Sequence, residues 1–181
     1  MASRMAERIT KRYMILSLLL LLLLGTVMMG IVAPFFSKHA NGYPYLETKL
    51  FYTPGDLLAM VEGYGEEARA LYVRISLSLD ALLPLLAANL LTSFSLFLTR
   101  ALQCLEKWRN PLFALGIATC ASDWMENLMM ILLLRTYPQQ HMALAVMGRL
   151  MTSVKYLLTA SFAVAILREA YLIRKKRPTV A

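Results

Sequence analysis

Five ionisable residues stand inside stretches of sequence that are otherwise apolar enough to lie in a lipid bilayer. They are three acids and two bases: Asp80, Asp123, Glu126, Arg149 and Lys155. A charged side chain at the centre of a bilayer costs about 2.5–3.5 kcal/mol on insertion scales. We therefore expect these groups to face the interior of a helix bundle and to pair. Buried carboxyl and amino groups of this kind can act as general acids, hold an anion or bind a charged ligand.

The third apolar stretch carries the most compact polar motif. Asp123, Glu126 and Asn127 are spaced i, i+3 and i+4, which places them on one face of a helix. This face is the natural wall of a polar site inside the bundle.

The depths of the five charges predict how they pair. At a rise of 1.5 Å per residue, Asp80, Glu126 and Arg149 lie on the order of 10 Å below the outer surface, and Asp123 and Lys155 lie deeper. We predict that Arg149 sits between Asp80 and Glu126, and that Lys155 reaches Asp123.

Three acids and two bases leave one surplus negative charge. Either one carboxyl carries a proton, or Arg69 or Arg74 supplies a positive charge from the outer rim. Three carboxylates can also hold a divalent cation, but Arg149 and Lys155 would compete with it, so we expect no metal and no other cofactor. The charges are interpreted either as structural glue between helices, at about 0.6 kcal/mol per hydrogen bond, or as a functional pocket.

Composition places these charges in an integral membrane protein. Of the 181 residues, 59% are apolar, compared with roughly 45–50% in soluble domains. Stretches of about 20 apolar residues, the length that crosses a bilayer, occur at 13–36, 75–98, 112–134 and 142–167. We predict a single all-α domain, a polytopic transmembrane four-helix bundle with a short helical extracytoplasmic loop at 37–74.

The basic residues predict the orientation. Of the 19 Lys and Arg residues, twelve lie before residue 13, between residues 99 and 110, or after residue 167. The opposite side has five, balanced by five acids. This positive-inside pattern predicts that both termini are cytoplasmic. It also explains the net charge of +8 without a nucleic-acid partner, which would need a basic patch on one face.

The outer loop contains its own helix signal. In the run Thr53-Pro54-Gly55-Asp56, Thr is a good N-cap, Pro suits the first helical position, and Asp stands three residues after the cap. An apolar face follows, and Gly63 can end the helix. We expect this short amphipathic helix to lie on the membrane surface or to cap the bundle.

The order of these signals is similar to that of a family of uncharacterised four-span membrane proteins, mostly bacterial. The likeness is carried by Tyr64-Gly65-x-x-x-Arg69-x-x-Tyr72, Asp80-x-x-x-Pro84, Asp123-x-x-Glu126-Asn127, Tyr137-Pro138 and Lys155. The chain departs from the family at Ala68, where Gly is usual, and at Trp124-Met125, where an aromatic residue and Leu are usual. The family has no established activity. The resemblance implies that these polar residues act together: Arg69, Asp80, Asp123, Glu126, Asn127 and Lys155.

Three classes of function fit this pattern. The first is binding or transport of a small amphiphilic or charged ligand through an outer-leaflet pocket lined by Arg69, Asp80, Asp123, Glu126, Asn127, Arg149 and Lys155. The second is a membrane-embedded enzyme that acts on a lipid or isoprenoid by acid–base chemistry, with Asp123, Glu126 and Asp80 as candidate catalytic residues.

The third is an accessory or assembly subunit of a membrane complex, or a homo-oligomer. Asn89, Thr92, Ser93 and Ser95 on the second span would then meet a partner helix, unless they only bond to their own helix backbone. In all three cases the bilayer itself is the first partner.

Overall fold

The computed structural model describes residues 10–49, 51–102 and 106–176, and in these ranges the chain is helical with no strand. In chain order the elements are α1 (Lys11–Val27), a π-helical turn (Met28–Val32), α2 (Ala33–His39), a 3₁₀ turn (Leu46–Thr48), α3 (Pro54–Gly63), α4 (Gly65–Leu77), α5 (Leu79–Leu102), α6 (Glu106–Thr136) and α7 (Met142–Lys176).

Four helical units are long and apolar enough to cross a membrane, so the predicted all-α bundle is confirmed. We call them span 1 (Lys11–His39), span 2 (Gly65–Phe94), span 3 (Phe113–Thr136) and span 4 (Met142–Arg168). Of the apolar window of span 3, 44% is buried, compared with 6% for span 1. Span 3 is therefore the centre of the bundle, and span 1 gives most of its surface to lipid.

The bundle has two unlike ends. At the loop end, residues 40–64 join spans 1 and 2, and residues 137–141 join spans 3 and 4. At the other end, which we call the tail end, α1 begins, α5 ends, α6 begins and α7 ends. The buried hydrophobic core lies mainly at the loop end, where it joins the loop to the first turns of span 2 and the last turns of span 3.

An aromatic cluster forms this core. Tyr45 stacks on Tyr72 at 4.4 Å between ring centroids, and the edge of Phe36 meets Tyr45, Tyr64 and Tyr72 at 5.0–5.5 Å. All four rings are at most 1% exposed. The Tyr64 hydroxyl donates to the carbonyl of Pro44 at 3.0 Å, and burial raises the pKa of its phenol well above the ordinary 10.0. The loop is thus a packed lid on the bundle.

The cap helix α3 begins as predicted. The Thr53 hydroxyl accepts from the Asp56 amide at 3.1 Å, and the Asp56 carboxylate accepts from the Thr53 amide at 2.7 Å, which completes a capping box. The helix ends at Gly63, as predicted. The left-handed residue that turns the chain into span 2 is Gly65, with a φ of +77°.

Span 2 is broken close to its intramembrane acid. Ser78 leaves helical geometry, at φ −115° and ψ −93°, and its hydroxyl donates to the Arg74 carbonyl at 2.7 Å. Pro84 has no amide to give to the carbonyl of Asp80, four residues earlier. The Asp80 turn therefore stands between two interruptions of the helix, where its backbone is held by fewer hydrogen bonds.

The polar stripe of span 2 meets spans of its own chain. Asn89 accepts from the Tyr13 hydroxyl at 2.7 Å and donates to Ser17 at 3.4 Å, both on span 1. Thr92 packs so closely on Gly116 of span 3 that a Cβ there would overlap its hydroxyl. Asn89 and Thr92 therefore contact spans 1 and 3 of their own chain, and an external partner helix for this stripe stays a prediction.

The role of Asp56 in the cap predicts a pH dependence. Bonds to the Thr53 amide and hydroxyl hold the pKa of Asp56 below its ordinary value of 3.8. Its contribution is therefore complete above pH 3.8 and is lost as the pH falls through the lower folded-state pKa. We expect Asp56→Asn to lower the thermal unfolding midpoint at pH 6 and to have a smaller effect at pH 3. Glu62→Gln, on the same helix, serves as the control. Equal effects of Asp56→Asn at both pH values would contradict the prediction.

Candidate functional site

One ammonium group joins two acids of span 3 to span 4. Lys155 Nζ lies 2.6 Å from Asp123 Oδ1 and 2.5 Å from Glu126 Oε2. The three side chains are 13%, 17% and 3% exposed, so solvent screens these pairs little. The predicted pairing of Lys155 with Asp123 is confirmed, and Glu126 is a second partner that the sequence had assigned to Arg149.

The other oxygen of Glu126 receives hydroxyl groups. Thr152 Oγ1 lies 2.5 Å from Glu126 Oε1, and the phenol of Tyr52 lies 2.5 Å from Thr152 Oγ1 and 3.4 Å from Glu126 Oε1. Thr152 stands three residues before Lys155, so both face span 3. Tyr52 comes from the loop, which means that this carboxylate ties together span 3, span 4 and the lid.

Asp80 is bound in the same way from the other side. Its Oδ2 accepts from the Tyr45 hydroxyl at 3.1 Å, and Tyr45 also shares a hydrogen bond with Ser76 at 3.2 Å. The side chain of Asn127 lies beside Asp80 across the span 2–span 3 contact. Asp80 is only 4% exposed, and a second loop tyrosine therefore covers a second intramembrane carboxyl.

Asn127 contributes one acceptor that remains unused. It is 5% exposed, and its Oδ1 has no hydrogen-bond partner among the residues that the structure describes. A buried polar atom without a partner costs about 1–3 kcal/mol. The site thus offers an acceptor beside Asp80 that a donor from outside the chain would satisfy.

Trp124 positions the two central spans around this site. Its indole Nε1 donates to the carbonyl of Ala81 at 3.1 Å, across the span 2–span 3 contact. Ala81 lies in the turn between Ser78 and Pro84, where helix hydrogen bonds are missing. The indole therefore holds the turn that carries Asp80 against the face that carries Asn127.

We call this assembly the carboxylate cluster. It consists of Asp80, Asp123, Glu126, Asn127, Lys155 and the hydroxyl groups of Tyr45, Tyr52 and Thr152. The cluster has three carboxyl groups and one ammonium group, and this ammonium group contacts two of them, those of Asp123 and Glu126. Isolated charges are too costly in an apolar medium, so protons or a bound cation must compensate the rest. Within the described ranges, no group of three or more His, Cys, Asp or Glu is arranged to hold a metal ion.

Arg149 does not lie between Asp80 and Glu126, so that prediction is wrong. Its guanidinium donates to Ser153 at 3.1 Å and lies 5.4 Å from the centre of the Tyr52 ring. Arg149 stands three residues before Thr152, and Lys155 stands three residues after it. A step of three residues falls about 60° short of a full helical turn, so Arg149 and Lys155 lie on opposite sides of Thr152. Thr152 faces Glu126, and only Lys155 is turned toward the acids of span 3.

Arg69 lies outside the cluster as well. It donates to the Val61 carbonyl at 3.2 Å, and its guanidinium lies 3.8 Å from the centre of the Tyr137 ring. Eleven residues separate it from Asp80, on the order of 16 Å along a helix. Of the two alternatives for the surplus charge, the one in which Arg69 or Arg74 balances the intramembrane acids is therefore wrong, because both line a groove at the rim.

The structure thus brings together five of the seven predicted ligand-binding residues and adds three hydroxyl groups. Thr152 shares the face of Lys155 by helical spacing, a signal that the sequence contains. The sequence signal for Tyr45 and Tyr52 is that the loop between spans 1 and 2 is rich in aromatic residues.

The chain matches no protein-family model, and no curated protein or solved structure shows significant similarity to it. The resemblance to the four-span membrane family therefore stays a prediction. The fold and the site define an integral membrane protein with a covered carboxylate cluster inside its bundle, and its function has to be inferred from that cluster.

Removing the ammonium group tests the structural part of the site. Lys155→Met leaves Asp123 and Glu126 without a cation, and we expect the free energy of unfolding to fall by about 3–5 kcal/mol, the usual cost of breaking a buried pair. The exposed Lys38→Met is the control. Adding Glu126→Gln to Lys155→Met should restore about 1 kcal/mol or more, because it removes one of the stranded charges. Unfolding in mild detergent measures all four proteins, and equal stability of the two lysine variants would contradict the assignment.

Proposed function

We propose that this chain is a membrane-embedded binding protein whose carboxylate cluster takes a small charged ligand that carries an ammonium or hydroxyl donor. The observation that carries the proposal is the unused Oδ1 of Asn127, a buried acceptor beside Asp80. A donor at this position would remove the cost of the unsatisfied atom. The excess of carboxyl groups over ammonium groups selects a cation over an anion.

The two loop tyrosines support a route of entry. The hydroxyls of Tyr45 and Tyr52 donate to Asp80 and Glu126, which are the hydrogen bonds that an incoming donor would make. A ligand donor can therefore replace each tyrosine hydroxyl as the hydrogen-bond donor to its carboxylate, and no carboxylate is left unsatisfied once the ligand is bound. Entry from the loop end then requires the segment between residues 43 and 53 to lift from the bundle.

We infer that the loop end faces away from the cytoplasm. Twelve Lys and Arg residues fall in the sequence segments before residue 13, between residues 99 and 110 and after residue 167, and five fall in the loops that join the spans at the loop end or beside them. Positive charge is retained on the cytoplasmic side of membranes. Both termini are then cytoplasmic, and the ligand arrives from the outer leaflet or the space beyond it.

Binding is the step that these contacts support. Transport, the related prediction, would need the cluster to open toward the tail end as well. An enzyme acting on a lipid would need its substrate to reach Asp80, Asp123 or Glu126, and two of these are 4% or less exposed. Neither this alternative nor the role of an accessory subunit is favoured by a separate observation in the described part of the chain.

Native mass spectrometry of the purified protein in mild detergent tests the proposal. We expect wild type to retain a small molecule of defined mass, and Asn127→Leu to lose it while still unfolding in one cooperative thermal transition. Asn89→Leu is the matched control, because it removes an asparagine of span 2 that contacts span 1 instead. Retention of the same adduct by Asn127→Leu would reject the cluster as the binding site.

Labelling with dicyclohexylcarbodiimide, an apolar reagent for carboxyl groups, tests the route of entry. We expect the double variant Tyr45→Phe/Tyr52→Phe to be labelled at Asp80 or Glu126 several-fold faster than wild type, because its lid lacks both hydroxyl anchors. Tyr43→Phe, at an exposed ring of the same loop, is the control. Equal labelling rates in all three proteins would show that the tyrosines do not control access.

A further inference from the structure

A second polar site lies at the rim of the loop end. A groove of about 460 Å³ opens there between spans 2 and 3. Its polar lining is Arg69, Arg74 and Arg135 with a single acid, Glu66, and its apolar lining includes Val73 and Leu134. The groove has the opposite charge to the carboxylate cluster, and its residues contribute nothing to that cluster.

Among the residues that the structure describes, no acid lies within ion-pair distance of these three guanidinium groups. Between residues that the structure describes, the ion pairs are those of Lys155 with Asp123 and Glu126. Glu66 lines the groove but lies beyond ion-pair distance of the arginines. Like charges that converge without a counter-charge repel one another, so the groove gains from an anion.

Arg69 is held in place for this role. Its guanidinium carbon lies 3.8 Å from the centre of the Tyr137 ring, and one of its five N–H groups donates to the Val61 carbonyl. Arg74 uses its Nε toward the Ala70 carbonyl at 3.4 Å. Arg74 and Arg135 are both exposed. A guanidinium group presents paired N–H donors that match the oxygens of a phosphate.

The depth and floor of the groove indicate the ligand. Arg69 and Arg74 stand in the first ten residues of span 2, and Arg135 stands one residue before the end of span 3, so all three lie where the apolar stretches end. Lipid phosphates occupy this level of a bilayer. The side chains of Val73 and Leu134 are 3% and 5% exposed and give the groove an apolar base.

We propose that the groove binds a phosphate ester, with the headgroup of a membrane phospholipid as its source. The phosphate lies between Arg74 and Arg135, with Arg69 behind it, and the first carbons of the lipid lie against the apolar base. The site is independent of the ligand proposed for the carboxylate cluster.

Lipid binding followed by native mass spectrometry in mild detergent tests the proposal. The probes are phosphatidylglycerol, diacylglycerol with the same acyl chains, and glycerol 1-phosphate. We expect phosphatidylglycerol to bind wild type and diacylglycerol not to bind, because it lacks the phosphate. Binding of the two glycerolipids with equal affinity would overturn the proposal. Glycerol 1-phosphate that binds as tightly as phosphatidylglycerol would overturn the lipid as the source and assign the groove to a soluble phosphate ester.

Two double variants locate the site. Arg74→Gln/Arg135→Gln should weaken phosphatidylglycerol binding at least about tenfold, because two charge-assisted contacts are lost. Lys38→Gln/Lys49→Gln removes the same charge from the loop end and should leave the affinity within about twofold. Arg74→Lys/Arg135→Lys keeps the charge but not the paired donors, so its affinity for phosphatidylglycerol should lie between those of the other two double variants. Equal affinities of wild type and the Arg→Gln variant would reject the groove. Both arginines are exposed, so we expect the thermal unfolding midpoints of these variants in the same detergent to equal that of wild type.

Discussion

The ammonium group of Lys155, placed between Asp123 and Glu126, is the interaction on which the arrangement of this bundle depends. Ionised acids on a central transmembrane helix are tolerated only when a cation or several donors face them. Lys155 meets that requirement from span 4 and thereby sets which faces of spans 3 and 4 meet. Thr152 follows on the same face and completes the shell of Glu126. The register of the two most closely packed spans is therefore set by charge as well as by apolar packing.

The same requirement explains why the loop is folded onto the bundle. Asp80 and Glu126 each need more donors than the spans provide, and the loop delivers one tyrosine hydroxyl to each. The Tyr45 ring is fixed by stacking on Tyr72, so its hydroxyl is aimed by the aromatic cluster at the loop end. We therefore expect a local opening of the loop to expose both carboxylates together, so that access to the cluster depends on the packing of the lid.

The molecule separates charge of opposite sign over a short distance. Acids dominate inside the bundle, and arginines dominate the rim between spans 2 and 3. Arg69 would have neutralised part of the buried charge had the two regions met, as the resemblance implied. The helix length between Arg69 and Asp80 keeps them apart, and the break at Ser78 lies between them. This separation is the basis on which we propose two different ligands, a cation below the lid and a phosphate at the rim.

The sequence by itself determined the elements and one contact. The sequence predicts the apolar stretches from local composition and the capping box at Thr53 from residue spacing. It predicts the pair of Lys155 with Asp123 from the depth of each residue along its helix. All three can be counted from residue numbers. The tertiary structure alone decided the partners of Arg149, Arg69, Asn89 and the loop tyrosines. Several groups on different helices are within reach of each of these side chains. Which of them becomes the partner depends on the rotation of each helix about its axis and on the path of the loop. Depth along a helix can be counted from residue numbers, whereas rotation about its axis is settled only when all the neighbouring faces are packed together.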